Sequence, residues 1–193
     1  MRRGAARPAA DRVGVLLEAR TEPSVRERLL IGIDPGMART GYGLILQTSD
    51  GHLELVDFGV IETEAADDQS QRLLALEREI LRVLQAEPPE SAAVEKLFFE
   101  RNVKTAMVVG QARGVALLTL ARQGVPVTEY GPGEIKQAVA GYGAADKKQM
   151  QVMVQQLLRM SELPRPDDAA DALAVAICHA HTSRTLDRMK AAT

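Results

Sequence analysis

A mixed α/β fold, one five-stranded sheet flanked by helices, follows from three observations on this sequence. Three apolar runs separated by turn residues follow one another closely from residue 29, the pattern of an antiparallel meander. Beyond residue 70 the apolar spacing becomes helical. Between the helical stretches stand two further strands, a buried one leading to Glu95 and a short one from Val125 to Glu129. At 193 residues with 46% hydrophobic content, the chain has room for one compact domain and little more.

Each element has its own reason. Residues 1–28 carry seven Arg against four acids with no sustained periodicity, and are expected to form a flexible N-terminal extension. Asp11, Glu18, Glu22 and Glu27 count against a targeting peptide. Strands are expected near 29–34, 41–48 and 52–61, with Asp34-Pro35-Gly36 and Ser49-Asp50-Gly51 as the turns between them. From about Ser70 to Ala86, Leu73, Leu74, Leu76, Ile80, Leu81 and Leu84 fall at helical spacing, and Pro88-Pro89 ends the helix. A long helix from about Val103 to Arg122 follows the Glu95 strand, then helices near 132–140 and 146–160, and a last one from about Asp167. The expected domain spans 29–182, leaving 183–193 as a C-terminal tail. No apolar run approaches membrane-spanning length, and the single cysteine, Cys178, suits a reducing, cytoplasmic setting.

The net charge is only −2, but its distribution is uneven. Residues 50–94 carry −8, whereas residues 95–148 carry +3 and hold Lys96, Arg101, Lys104, Arg113, Lys136, Lys147 and Lys148. A phosphate-binding face needs such asymmetry, although ordinary solvated helix faces also produce it.

The carboxylates are more telling. Asp34 closes the run Leu29-Leu30-Ile31-Gly32-Ile33, and Glu95 closes Ser91-Ala92-Ala93-Val94. An acid ends a buried strand at a cost unless a cation waits there. Asp168 and Asp171, three apart, share a helix face, with Asp167 before them as a natural N-cap. Ala169, Ala170, Ala172 and Ala174 let that helix approach the sheet. Together these acids make an all-oxygen cage for a hard divalent ion such as Mg²⁺ or Mn²⁺, and metal held this way suits phosphodiester chemistry. Cys178, His179 and His181 fall late in the same helix and read as a satisfied helix end.

Three motifs carry a resemblance. Ile31-Gly32-Ile33-Asp34-Pro35-Gly36 continuing through Arg39-Thr40-Gly41-Tyr42-Gly43, then Gly110-Gln111-Ala112-Arg113-Gly114-Val115-Ala116, then Asp168-Ala169-Ala170-Asp171-Ala172-Leu173-Ala174, resemble in that order the RuvC family of Holliday-junction resolvases, from about Leu30 to about His181. The resemblance implies an RNase H-like fold and a Mg²⁺-dependent endodeoxyribonuclease that resolves four-way DNA junctions by paired nicks. It implies Asp34, Glu95, Asp168 and Asp171 as catalytic metal ligands, with Lys147 assisting. The two metal ions per subunit would sit about 4 Å apart. It makes Phe98 the aromatic that stacks on an unpaired base, and Arg101, Asn102, Lys104, Arg113, Lys136 and Lys148 further DNA contacts. Two symmetric cuts imply a homodimer. The Val103 to Arg122 helix, apolar around most of its circumference, could serve as its interface, with Gly110 and Gly114 permitting close approach. The family also implies docking of a branch-migration motor. Two other classes stay open on residues alone: an actin-like ATPase, for which the chain is short, and a junction-binding scaffold without catalysis.

Overall fold

A computed structural model of the protein describes residues 26–96 and 103–191, with side chains for all of these except 103–105 and 184–191. The strands are β1 (Arg28–Asp34), β2 (Arg39–Gln47), β3 (Leu53–Glu62), β4 (Ser91–Glu95) and β5 (Val127–Tyr130). The helices are α1 (Gln69–Ala86), α2 (Val103–Arg122), α3 (Pro132–Ala140), α4 (Lys147–Leu157) and α5 (Asp167–Ala191). The strands form one sheet in the order β3-β2-β1-β4-β5. The β1–β2 and β2–β3 pairs are antiparallel, while β1–β4 and β4–β5 are parallel.

Period-two alternation splits the core between the two sheet faces. Leu30, Ile45 and Ala93 face one way, into a core closed by α3, α4 and α5. Ile31, Ile33, Leu44, Leu46, Ala92 and Val94 face the other, beneath α1 and α2. Helix α5 crosses β1 and β2 at close range because the strands present glycine there. A Cβ on Gly32 would collide with the backbone of Ala172 and Ala176, one on Gly41 with the Asp168 carbonyl, and one on Gly43 with Leu173. Buried Ala169, Ala172 and Ala176 supply the matching small residues of the helix.

Several boundaries differ from expectation. Arg28, assigned to the extension, instead opens β1 opposite Gln47, and its Nε donates to Glu90 at 2.9 Å. Residues 1–25 lie outside the described part. The expected tail at 183–193 is helical as far as Ala191, so Cys178, His179 and His181 lie within α5 and not at its end. Helix α4 stops at Leu157, short of the expected 160, because Arg159 adopts a left-handed φ of 52°. Gly36 serves the turn that Asp34-Pro35-Gly36 predicts. Its Cβ would strike the carbonyl of Arg39, so the residue closes a tight turn, which Thr40 Oγ1 locks by donating to the Gly36 carbonyl at 2.6 Å.

Candidate active site

Three elements bring the four carboxylates to one end of the sheet. Asp34 ends β1, Glu95 ends the adjacent parallel strand β4, and Asp168 and Asp171 project from the first turns of α5. Because β1 and β4 run in the same direction, their final residues emerge on the same edge. The glycine-lined approach of α5 then sets Asp168 and Asp171 against that edge. Burial, followed by the charges of Glu95, Asp171 and Asp168, pushes the Asp34 carboxyl up to about 7. Glu95 is raised by burial and by Asp171, while its hydrogen bond with Asp34 and the Lys136 charge pull it back. That shared hydrogen bond raises Asp34 and lowers Glu95, so of the pair Asp34 is the one whose protonated form the site favours more. Asp171 is raised by burial in spite of Lys147.

Basic side chains border this cluster on two sides. Lys147 Nζ lies 3.1 Å from Asp167 and 3.4 Å from Asp171. Burial alone would lower its pKa, but Asp167 and Asp171 outweigh that and raise it. Lys136 and Lys147 line a small cleft with Glu95 and Asp171. On the opposite side Arg39 Nε sits 3.1 Å from Asp168 and 3.5 Å from Glu62. Arg39 carries no role on sequence grounds; its place just past the Asp34 turn is the signal that points to it. Among the described residues, no three His, Cys, Asp or Glu side chains gather tightly enough to hold one ion as they stand. Asp168 is instead paired with Arg39 and Asp171 with Lys147. The donor set itself, four carboxyl groups of which burial and mutual charge raise Asp34, Glu95 and Asp171, fits hard divalent cations and lacks their charge.

The other expected site residues divide. Phe98, Arg101 and Asn102 lie outside the described residues, as does the side chain of Lys104 on α2. Lys148 is exposed on the first turn of α4, beside an apolar groove with Tyr142 and Met153. Arg113 is ion-paired with Glu129 of β5 and only 22% exposed, an intrachain tie that the sequence reading as a DNA contact does not include. Asp167 is the first residue of α5 and not its N-cap; the carbonyl of Pro166 accepts from Ala169 and Ala170, and the Asp167 carboxylate is occupied by Lys147 and Gln151. His179, Cys178 and His181 point to separate partners: Ser91 and Tyr130, the Glu134 carbonyl, and the Ala138 carbonyl.

Comparison with known proteins identifies the family. The family described as crossover junction endodeoxyribonuclease RuvC matches residues 30–179. A crossover junction endodeoxyribonuclease RuvC of Roseiflexus sp. (strain RS-1) is 56% identical over 160 residues, covering 83% of this chain and 95% of its own. Among solved structures, the Thermus thermophilus RuvC in complex with Holliday junction substrate superposes with a TM-score of 0.78 at 37% identity, covering 82% of this chain and 96% of that one. The yeast mitochondrial Holliday junction resolvase Ydc2, 13% identical, shares the fold with a TM-score of 0.60, covering 92% of this chain and 89% of that one.

Proposed function

The chain belongs to the RuvC family of crossover junction endodeoxyribonucleases, and from that premise we propose that Asp34, Glu95, Asp168 and Asp171 are its catalytic metal ligands. The protein is a structure-selective endonuclease that resolves four-way DNA junctions, as used in recombination and repair. The observation that carries the site assignment is the Asp34 carboxyl, driven to about 7 by burial and by three carboxylates from other elements. A structure that needs only stability would not bury Asp34 against Glu95 while the nearby cations Arg39 and Lys147 pair with Asp168 and Asp171 instead. Two Mg²⁺ ions per subunit, with Mn²⁺ as substitute, are the cofactors this donor set suits. When bound they supply an activated water and charge neutralisation at the leaving 3′ oxygen, so that each cut leaves a 5′-phosphate and a 3′-hydroxyl.

The protein's own groups do the rest. Lys147, 3.4 Å from Asp171, would place its positive charge at the scissile phosphate, where negative charge builds in the transition state. Phe98 stacks on an unpaired base at the crossover, and Arg101, Asn102, Lys104, Lys136 and Lys148 contact the backbone around it. Arg113 belongs to that set only if it exchanges Glu129 for DNA. Two subunits act as a C2 pair in the cytoplasm, meeting along α2. Met107 and Leu118 are 64% and 53% exposed there, and exposed Gly114 lies on the same helical face with nothing near it. A branch-migration motor would deliver the junction. Among the described residues no helix is long and apolar enough to cross a membrane.

The test is incubation with an end-labelled four-way junction, with and without Mg²⁺, mapping the cut sites. Paired, metal-dependent nicks at symmetric positions support the reading, and binding without cutting in any metal returns it to a scaffold. Running Phe98→Ala beside the parent, on an intact junction and on one already unpaired at its crossover, tests the stacking role. Failure of the unpaired substrate to restore cutting removes it.

A further inference from the structure

A second groove opens on the far side of the carboxylates from Lys136 and Lys147. It encloses about 580 Å³ and is lined by Gly36, Met37, Arg39, Arg72, Val108 and Asp168, among others. It therefore begins at a proposed metal ligand and leads away from the scissile position. Its two guanidinium groups are held by one turn of chain. Arg39 follows the Gly36 turn that Thr40 locks. Arg72 donates from Nε to Thr63 Oγ1 at 2.9 Å, and Thr63 in turn donates to the Met37 carbonyl at 2.5 Å and from its backbone to the Ala38 carbonyl at 3.2 Å. Arg72 is half-buried on the first turn of α1, and its anchoring removes much of the entropy a surface Arg would lose on binding.

Arg39 is poised for an exchange. Its present partners are Asp168 and Glu62. Asp168 meets Arg39 through Oδ2, so a cation at Asp168 competes with Arg39 for the same charge. Once a cation takes the Asp168 charge, Arg39 loses its strongest attraction within 4 Å and faces the groove beside Arg72. Two guanidiniums flanked by the apolar walls of Met37 and Val108 match one phosphodiester and the sugar attached to it: the planar fork donates to the two non-bridging phosphate oxygens and the wall covers the sugar.

We propose that this groove is a phosphate subsite for the strand being cut, gripping through Arg39 and Arg72 a phosphodiester beyond the scissile one. It rests on the nuclease reading above. The cut strand then runs across the carboxylates between two basic clefts, Lys136 and Lys147 on one side and Arg39 and Arg72 on the other. Arg39 gains its phosphate only as the metal site fills, so metal loading and grip on the strand reinforce each other.

The experiment uses the full-length protein and synthetic four-way junctions in which single phosphates are replaced, one position at a time, by neutral methylphosphonates. Ca²⁺, a hard oxygen-seeking cation, replaces Mg²⁺ so that affinity is read apart from cutting. In the parent, one linkage near the cut should weaken binding about tenfold when neutralised, the size of a charged hydrogen bond. Arg39→Gln and Arg72→Gln should each abolish the sensitivity of that same linkage and reduce the salt slope of binding by about one. Arg82→Gln, which removes a charge that is 74% exposed elsewhere on α1, should leave the profile unchanged. Arg39→Lys and Arg72→Lys, which keep the charge but not the fork, should retain part of the sensitivity, less than the parent and more than the Gln variants. If no linkage loses its sensitivity in the Gln variants, or if the Lys variants lose as much as the Gln variants, the subsite is wrong. If the parent neither prefers a four-way junction over duplex nor cuts it in Mg²⁺, the nuclease reading fails instead, whatever the groove does.

Discussion

Helix α5 carries two clusters of inward-facing polar groups, and they are built on opposite terms. At its start Asp168 and Asp171 meet Asp34 and Glu95, four groups of one sign, and burial pushes up the pKa of three of them. Further along, His179 is 4% exposed and fully partnered: Nε2 lies 2.8 Å from Ser91 Oγ and Nδ1 lies 3.0 Å from the Tyr130 hydroxyl. A neutral imidazole has one donor and one acceptor, and a hydroxyl on each side satisfies both. The second cluster ties α5 to β4 and β5 and asks for nothing further. The first is incomplete within the protein, and its deficit has the sign and oxygen chemistry of a hard cation. The fold holds both on the same helix, so the stable cluster braces the strained one.

Neutralising one acid separates the two terms most sharply. Asp34→Asn should lower junction cleavage by more than the roughly 10–100-fold that losing an outer partner of a metal site costs. In metal-free solution above pH 7, where the Asp34 carboxyl ionises, the same variant should melt at a higher temperature than the parent, because it removes a charge that the fold crowds against three other carboxyl groups. A single cleavage assay beside a melting curve checks both. Cutting at near the parent rate, or a lower melting temperature, would mean that the acid cluster is structural.

Gly32→Ala, the next largest effect, acts on the brace itself. The added Cβ would run into the backbone of Ala172 and Ala176, midway between the clusters, so α5 must shift off the sheet. Overpacking of this kind costs about 1–3 kcal/mol, and Asp168 and Asp171 move with the helix. Stability and cleavage should fall together, with the cleavage loss appearing in kcat measured at saturating junction. A stability loss without any change in kcat would show that the carboxylates tolerate movement of their helix.

What the sequence discloses follows the same division. The Asp34, Glu95, Asp168 and Asp171 positions are legible because an acid at the end of an apolar strand, or paired on an alanine-rich helix face, contradicts local packing and so demands a reason. The order of elements and the antiparallel meander were legible from the three apolar runs after residue 29 and the later change to helical spacing, whereas the strand order across the sheet was not, because no local pattern tells which strand pairs with β4. Arg39 and Arg72 were not, because an arginine near a turn reads like any solvated charge until Thr63 and Asp168 are seen beside it. The His179 cluster joins groups 88 and 49 residues apart, and no local pattern encodes such a pairing. The length of α5 escaped for a related reason: apolar spacing fades after residue 182, while the helix continues to Ala191.

Disrupting the satisfied cluster should affect stability alone. His179→Leu fills most of the imidazole volume but leaves the Ser91 and Tyr130 hydroxyls without their partner. Leaving buried hydroxyls unpaired costs about 1–3 kcal/mol, which for a domain of this size lowers the melting temperature by roughly 2–12 °C. Cleavage per folded molecule should stay near that of the parent. A drop in kcat comparable to that of Gly32→Ala would extend the active site to this end of the helix.

The smallest effect, and the finest discrimination, is the pH dependence of stability in the metal-free protein. Asp34 is held at about 7, above its ordinary 3.8, so between those values the folded state binds the extra proton. Its contribution is therefore fully present below about pH 4 and is lost as pH rises through 7. His179 is depressed to about 4, first by burial and then by Arg28, from an ordinary 6.5. There the unfolded chain binds the extra proton, so its contribution is present above about pH 6.5 and is lost as pH falls through 4. The two clusters oppose each other across one window, and the parent should show a shallow stability profile between pH 4 and 7. Asp34→Asn removes the acid-favoured half and should leave stability falling steeply toward pH 4. His179→Leu removes the other half and should leave stability rising toward pH 4. Denaturant titrations of the three proteins in chelator at half-unit pH steps make the comparison, and equal slopes in both variants would show that neither cluster governs the titration of the fold.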